Sequence, residues 1–371
     1  MKWILGLLCL IFLIIFHEFG HFIAAKLFGV KVESFSVGFG PVLFHKTFHG
    51  TDYRISLFPL GGYCGMKGEK DFQRAIEENL NQIKAEPDSL YGVHPVKRAL
   101  IGFAGPFFNF IFAIIAFSII AGIGYTYYTY SNKITIATEI YPELHSAAAE
   151  AGIKSGDKII SVAGKKTENF NDLLVEISSR PDEELIIEVD REGERLSFTV
   201  HSDLDKKTGS GKIGVVADSK NVIEVQTPEY GFFGAIGAGT KEAFNAVSLT
   251  LKSLTVLFKG VEVKNAVSGP ARVTDMLGST IKEGFSEGAK IGIISTLSLL
   301  AIISVSLFIM NLLPIPVLDG GLILIALIEL IAGKKIKPKI QYYIQMVGIA
   351  FIILIFLVGL TGDITYFTAK E

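Results

Sequence analysis

The sequence predicts a polytopic α-helical membrane protein with four transmembrane helices and a soluble α+β domain inserted between the second and third. Composition is the first reason. Half of the 371 residues are hydrophobic, only 19% are charged and the mean hydropathy is +0.45, whereas soluble domains carry more charge. Distribution is the second. The apolar excess sits in four blocks, each near the length needed to cross a bilayer core. A net charge of −2, from 35 basic and 37 acidic residues, gives no reason to expect a nucleic-acid partner.

The first span covers Trp3–Phe28, within a segment 1–29. A signal peptide is its rival, but no small-residue cleavage site follows and Lys2 is the only flanking charge. Residues 30–96 form a connecting region, and the second span covers Ala99–Tyr125 within 97–125. The third covers Ile291–Leu313 within 291–322, and the fourth Tyr343–Leu360 within 343–371. Basic residues predict the sidedness. Lys26, Lys31, Lys97 and Arg98 flank the first connection, and Lys334, Lys335, Lys337 and Lys339 make 323–342 a basic segment. Both loops are expected to be cytoplasmic, with both termini and the long insertion outside.

Residues 126–226 have the composition of a small α+β domain. Alternating runs predict strands at Ile134–Ile140, Lys158–Val162, Glu184–Val189 and Arg195–Val200, separated by turn signals at Gly156-Asp157, Gly164-Lys165 and Glu192-Gly193. A short helix fits Ala147–Ala151 and a longer one Asn169–Ser179, closed by Arg180-Pro181. Residues 227–290 are expected to lie on the membrane surface, because Tyr230–Lys259 has apolar positions at helical spacing with lysines between them. Gly234, Gly237 and Gly239 would suit a phosphate-cradling loop, but no strand precedes them.

His17-Glu18-Phe19-Gly20-His21 is an H-E-x-x-H motif. On a helix its histidines share one face and converge on one metal, for which Zn²⁺ is the natural choice. Glu18 is placed to take a proton from water. Ionisable residues inside an apolar span are expensive and mark a site by default; the bland alternative is polar residues facing the headgroups. Two histidines leave a catalytic zinc short of a protein ligand. Asp319, in Asn311-Leu-Leu-Pro-Ile-Pro-Val-Leu-Asp-Gly-Gly321, is the other acid in an apolar setting. Pro314 and Pro316 break the helix before it, and Gly320 and Gly321 are expected to let the chain approach the metal. A loop acid that only caps the next helix is the rival reading. Cys9 and Cys64 are expected to be small buried hydrophobes. His45 and His49 suggest a hairpin turn more than a second metal site, and His94, His145 and His201 read as surface residues.

With these motifs the chain resembles the site-2 protease family of intramembrane metalloproteases, and within it the bacterial regulator-of-sigma-E protease group. HEFGH and NLLPIPVLDGG match the family's two principal motifs, and Gly105-Pro-Phe-Phe-Asn109-Phe matches a signature of its second span. Val37-Gly-Phe-Gly-Pro-Val and Ser56-Leu-Phe-Pro-Leu-Gly-Gly-Tyr63 resemble segments around its membrane-associated β-hairpin. SAAAEAGIKSGDKIISVAGKK resembles the core of a PDZ domain, a module that adds extended peptides to a sheet edge. The resemblance implies that His17, His21 and Asp319 bind one Zn²⁺ and that Glu18 is the general base. It implies that Asn311 holds unwound substrate or its oxyanion, and that Asn109 shapes the core beside the site. Asn109, Gly61, Gly62 and Tyr63 join Asn311 as expected substrate-side residues. Implied substrates are single-span membrane-anchored proteins such as anti-sigma factors or signal-peptide remnants, cut in a bacterial inner membrane near its cytoplasmic face. This chain departs from the group's pattern in one PDZ copy instead of two, in Cys64-Gly65 after Gly62-Tyr63, and in the insert 68–96. A catalytically silent PDZ scaffold and a zinc transporter remain as rivals.

Overall fold

The computed structural model describes residues 1–256, 259–261 and 268–368, with side chains except those of Leu60 and Glu69. Helix α1 runs from Lys2 to Leu27 and stops where Gly29 takes a positive φ of 82°, a conformation glycine adopts without strain. Strands β1 (Val32–Phe48) and β2 (Thr51–Met66) follow. Their pairing is antiparallel from Phe48↔Thr51 to Val42↔Ser56 at the tip and from Val37↔Gly62 to Val32↔Met66 at the base. Residues 34–37 also neighbour 52–55, so both strands fold back on themselves, with Gly38 and Gly40 at positive φ in the bend. Phe39, Leu43, Phe44, Phe48, Leu57 and Phe58 are exposed on this hairpin. An apolar surface of that kind suits lipid or a partner better than water. Helix α2 (Glu69–Glu77) precedes α3 (Pro95–Ile123). The backbones of α1 and α3 touch at Gly20, where a Cβ would collide with the Ala104 carbonyl.

The described residues form two compact bodies, one of residues 1–120, 232–247 and 268–368, the other of 121–231, 248–256 and 259–261. In the second body β3 (Thr126–Tyr130) leads to β4 (Ile134–Ile136), then α4 (Ala137–Ile140) and α5 (Ala147–Glu150). The alternation expected as a strand to Ile140 therefore turns helical after Ile136, where Tyr141 N–H bonds back to the Ala137 carbonyl. β5 (Lys158–Val162), β6 (Lys165–Lys166), α6 (Phe170–Ser178), β7 (Glu183–Arg191), β8 (Glu194–Leu204) and β9 (Gly211–Lys212) follow. The antiparallel sheet has the order β6-β5-β7-β8-β9. Its apolar face, with Ile159, Leu185, Ile187 and Val200, is buried with Leu173 and Ile177 of α6. Asn169 and Asp172 form a reciprocal capping box that starts α6. β10 (Val215–Ala217) pairs with β4, and β11 (Val222–Gln226) with β3.

Helix α7 spans Phe232–Val256, and Phe232 and Phe233 are exposed at its start. The expectation of a surface segment reaching residue 290 needs correction. Helix α8 (Pro270–Ser286) buries Thr274, Asp275, Leu277 and Gly278. Gly6 and Gly278 let α1 and α8 approach until an added Cβ would strike backbone. Lys2, expected only as a flanking charge, pairs with the buried Asp275 at 2.5 Å. Helix α9 (Ala289–Leu312) is followed by α10 (Asp319–Ala332) and α11 (Pro338–Thr368). Residues 323–332, expected in a basic loop, thus continue an apolar helix, because LILIALIELIA contains no helix breaker. Arg98, expected as an interfacial charge, is instead buried and donates to Glu329 Oε2. The Ile336 N–H and Gln341 Nε2 donate to Glu329 Oε1 at 2.8 and 3.2 Å. Charges so buried require such partners. Helices α1, α3, α9 and α11 are each long and apolar enough to cross a membrane.

Candidate metal centre and active site

His17 and His21 lie one turn apart on the same face of α1, and Asp319 opens α10. His17 Nε2 is 3.2 Å from Asp319 Oδ2, His21 Nε2 is 3.2 Å from Asp319 Oδ1, and the two Nε2 atoms are 3.3 Å apart. A tetrahedral zinc with ligands at about 2.0–2.1 Å puts neighbouring donors roughly 3.3 Å apart. The three donors therefore fit a zinc ion as placed, and three protein donors leave its fourth position open. Among the described residues this is the grouping of three or more metal-ligating side chains that converges. His21 Nδ1 bonds to the Ile101 carbonyl at 2.8 Å, and His17 Nδ1 lies 3.1 Å from Asn109 Nδ2. Both contacts come from α3, the first because Gly105 leaves room for the His21 ring.

The three donors and Glu18 line a cavity of about 450 Å³. The Glu18 carboxylate accepts the Cys64 backbone N–H, which ties the candidate base to β2. Tyr63, Cys64 and Met66 line the same cavity, with Leu90 and Tyr91 from the insert and Asn311 and Leu318 near the helix break.

The break itself is a tight reversal. Ile315 N–H bonds to the Leu313 carbonyl at 2.7 Å and Leu318 N–H to the Ile315 carbonyl at 3.1 Å. Val317 has φ of +85°, a strained conformation for a β-branched residue, of the kind that collects at functional sites. Gly320 and Gly321 serve this turn and not an approach to the metal. A Cβ on Gly320 would strike the Leu312 and Leu313 carbonyls, and one on Gly321 would crowd Ile315 and Pro316.

Of the expected substrate-side residues, Asn311 and Tyr63 line the cavity. Gly62 sits behind it, with Glu18 Cγ 3.5 Å from where its Cβ would be, and Gly61 faces the Phe39 ring. Asn109 is fully buried, beside His17 and outside the residues that line the cavity. Neither cysteine is in a disulfide among the described residues, both are half-buried instead of buried, and Cys64 lines the cavity. Sequence reasoning misses Leu90 and Tyr91, because a long polar insert carries no signal of the face it packs on. His45 sits on the hairpin and bonds Asp52 at 3.0 Å.

A family model described as Peptidase family M50 matches residues 5–355. A protein of Treponema pallidum named "Putative zinc metalloprotease" is 34% identical across 98% of this chain and 99% of its own. Proteins bearing the same description are 35% identical in Campylobacter jejuni, over 95% of this chain and 90% of theirs, and 32% in Helicobacter pylori, over 98% and 99%. With the converging donors and the apolar helices, these likenesses define a membrane-embedded metalloprotease with a zinc cofactor. The chain belongs to peptidase family M50, the site-2 protease family.

Proposed function

We propose that this protein hydrolyses peptide bonds within the transmembrane segments of single-span membrane proteins, with zinc held by His17, His21 and Asp319 and with Glu18 as general base. The observation that carries it is the spacing of the three donors, with a carboxylate in the same cavity between apolar helices. Zinc bound there supplies Lewis acidity, polarising a peptide carbonyl and making water acidic enough to lose a proton near neutral pH. Glu18 takes that proton and delivers it to the leaving amine. Asn311 lines the cavity, and in this reading its amide N–H donates to the developing oxyanion. A helical substrate hides its carbonyls in i→i−4 bonds, so it unwinds first. The Gly61–Tyr63 segment beside the cavity then receives it as an added strand.

The second body reads as a PDZ module. A groove of about 780 Å³, lined by Phe170, Leu173 and Ile177 of α6 and by Ile213, Val215 and Val216, suits an extended peptide laid along β10. Substrates are membrane-anchored proteins with helix-weak spans, such as anti-sigma factors or signal-peptide remnants, in the bacterial inner membrane. A zinc transporter would have no use for a base next to its first ligand, and a silent scaffold would need none of the four residues.

Glu18→Gln tests the assignment. It is expected to lower cleavage of a model transmembrane substrate by about 10²–10⁴-fold while zinc content stays near one per chain. Full activity in this variant would refute the mechanism, and loss of zinc would make Glu18 a ligand instead of the base.

A further inference from the structure

The two histidines point Nε2 at Asp319 and turn Nδ1 toward α3. For His21 the partner is a carbonyl oxygen, that of Ile101 at 2.8 Å. A carbonyl only accepts, so Nδ1 carries the hydrogen and the Nε2 lone pair is free for a metal. For His17 the partner is the Asn109 side-chain amide, with Nδ2 3.1 Å from Nδ1. In that orientation the amide donates, Nδ1 accepts, and the neutral ring carries its hydrogen on Nε2, where it would block coordination. Turning the amide over exchanges two atoms of nearly equal size. Oδ1 then accepts the Nδ1–H, and Nε2 is free.

Counting partners does not choose between the orientations. Asn109 is fully buried, and its Oδ1 has no hydrogen-bond partner among the described residues, so either way one end of the amide meets His17 and the other does not. The chemistry of the donor set chooses, because metal-ligating histidines donate their second N–H to an acceptor that fixes tautomer and ring orientation. The position of Asn109 is itself held, since Ser304 Oγ donates to its backbone carbonyl at 2.9 Å.

We propose that Asn109 is a positioning residue, presenting Oδ1 to the His17 Nδ1–H and so holding His17 in the tautomer that leaves Nε2 free for zinc. This rests on the reading of His17 as a ligand. The α3 helix then supplies both outer partners, a main-chain oxygen for His21 and a side-chain oxygen for His17.

The test compares zinc affinity, by chelator competition, in the detergent-solubilised full chain and in its Asn109→Asp, Asn109→Leu and His17→Ala variants. Asn109→Asp keeps an acceptor and is expected to stay within about threefold of the unaltered chain, while Asn109→Leu loses about 10–100-fold. ¹⁵N spectra of histidine-labelled protein should show a protonated Nδ1 at His17 in the zinc-loaded state. A Leu variant that binds zinc like the unaltered chain overturns the proposal, and so does an Asp variant as weak as the Leu one. If His17→Ala also binds zinc normally, the reading of His17 as a ligand falls with it; if His17→Ala loses zinc while Asn109→Leu keeps it, the role of Asn109 alone is refuted.

Discussion

Asp319 shows how much one side chain is asked to do. Its two oxygens face different histidines, Oδ2 toward His17 and Oδ1 toward His21, each at 3.2 Å. Asp319→Asn removes the charge that matches the cation and turns one acceptor into a donor. It should reduce zinc content measured by atomic absorption, with activity falling in parallel and membrane insertion unchanged. Full zinc occupancy would move the third ligand elsewhere. In the second body, Asp157 offers a test that pH can read. Burial pushes its carboxyl up, but the bidentate Arg191 guanidinium, at 2.7 Å on each oxygen, and the Lys154 N–H outweigh burial and hold it below the usual carboxylate range. A depressed carboxyl contributes stability that is complete above its unfolded value of about 3.9 and is lost as pH falls toward the folded value. The hydrogen-exchange protection factors of the amides of β5 and β7 should therefore fall below about pH 4, and Asp157→Asn should flatten that acid limb. Equal acid sensitivity in the variant would assign the effect to another group.

At the scale of elements, the centre depends on how closely α1 and α3 approach. Gly20 meets the Ala104 carbonyl, and an ideal Cβ on Gly105 would overlap the His21 imidazole at Nε2. Gly105→Ala should push that ring off its position and weaken zinc binding, although alanine favours a helix over glycine by about 1 kcal/mol. A variant with unchanged zinc affinity would show that the ring has room to shift. The α10 helix depends on the reversal before it in the same way, with glycines at 320 and 321 packed against main-chain carbonyls. Arg98 and Glu329 join α3 to α10, so Asp319 is carried by an element that is itself anchored.

For the whole molecule, the basic residues at the loops motivate a cytoplasmic first connection. Glu78 follows α2 and Asp203 lies in β8, and both are at least partly exposed. With Cys9 and Cys64 replaced, single cysteines at these two positions should differ. An impermeant thiol reagent should label residue 203 in intact cells and residue 78 only after the membrane is opened. Labelling of both from one side would refute the four-span arrangement.

The candidate donors that converge are legible in the sequence, because zinc chemistry restricts ligand types and H-E-x-x-H sets two candidates on one helical face. The spans are equally plain, since crossing a bilayer leaves a composition signal that needs no knowledge of neighbours. What chain order cannot carry is pairing at long range. Glu329 looks like a stray acid in an apolar run until Arg98, 231 residues away, is set against it. Lys2 looks like a terminal charge until Asp275 faces it. Asn109 reads as a substrate contact from its place in a motif, and only the packing of α3 on α1 puts it behind His17. Hydrophobic periodicity and motif spacing are local properties of the sequence. Which buried charge meets which, and which group of α3 faces each histidine's Nδ1, are decided by the tertiary structure, because desolvation makes each such group depend on one partner delivered from elsewhere in the fold.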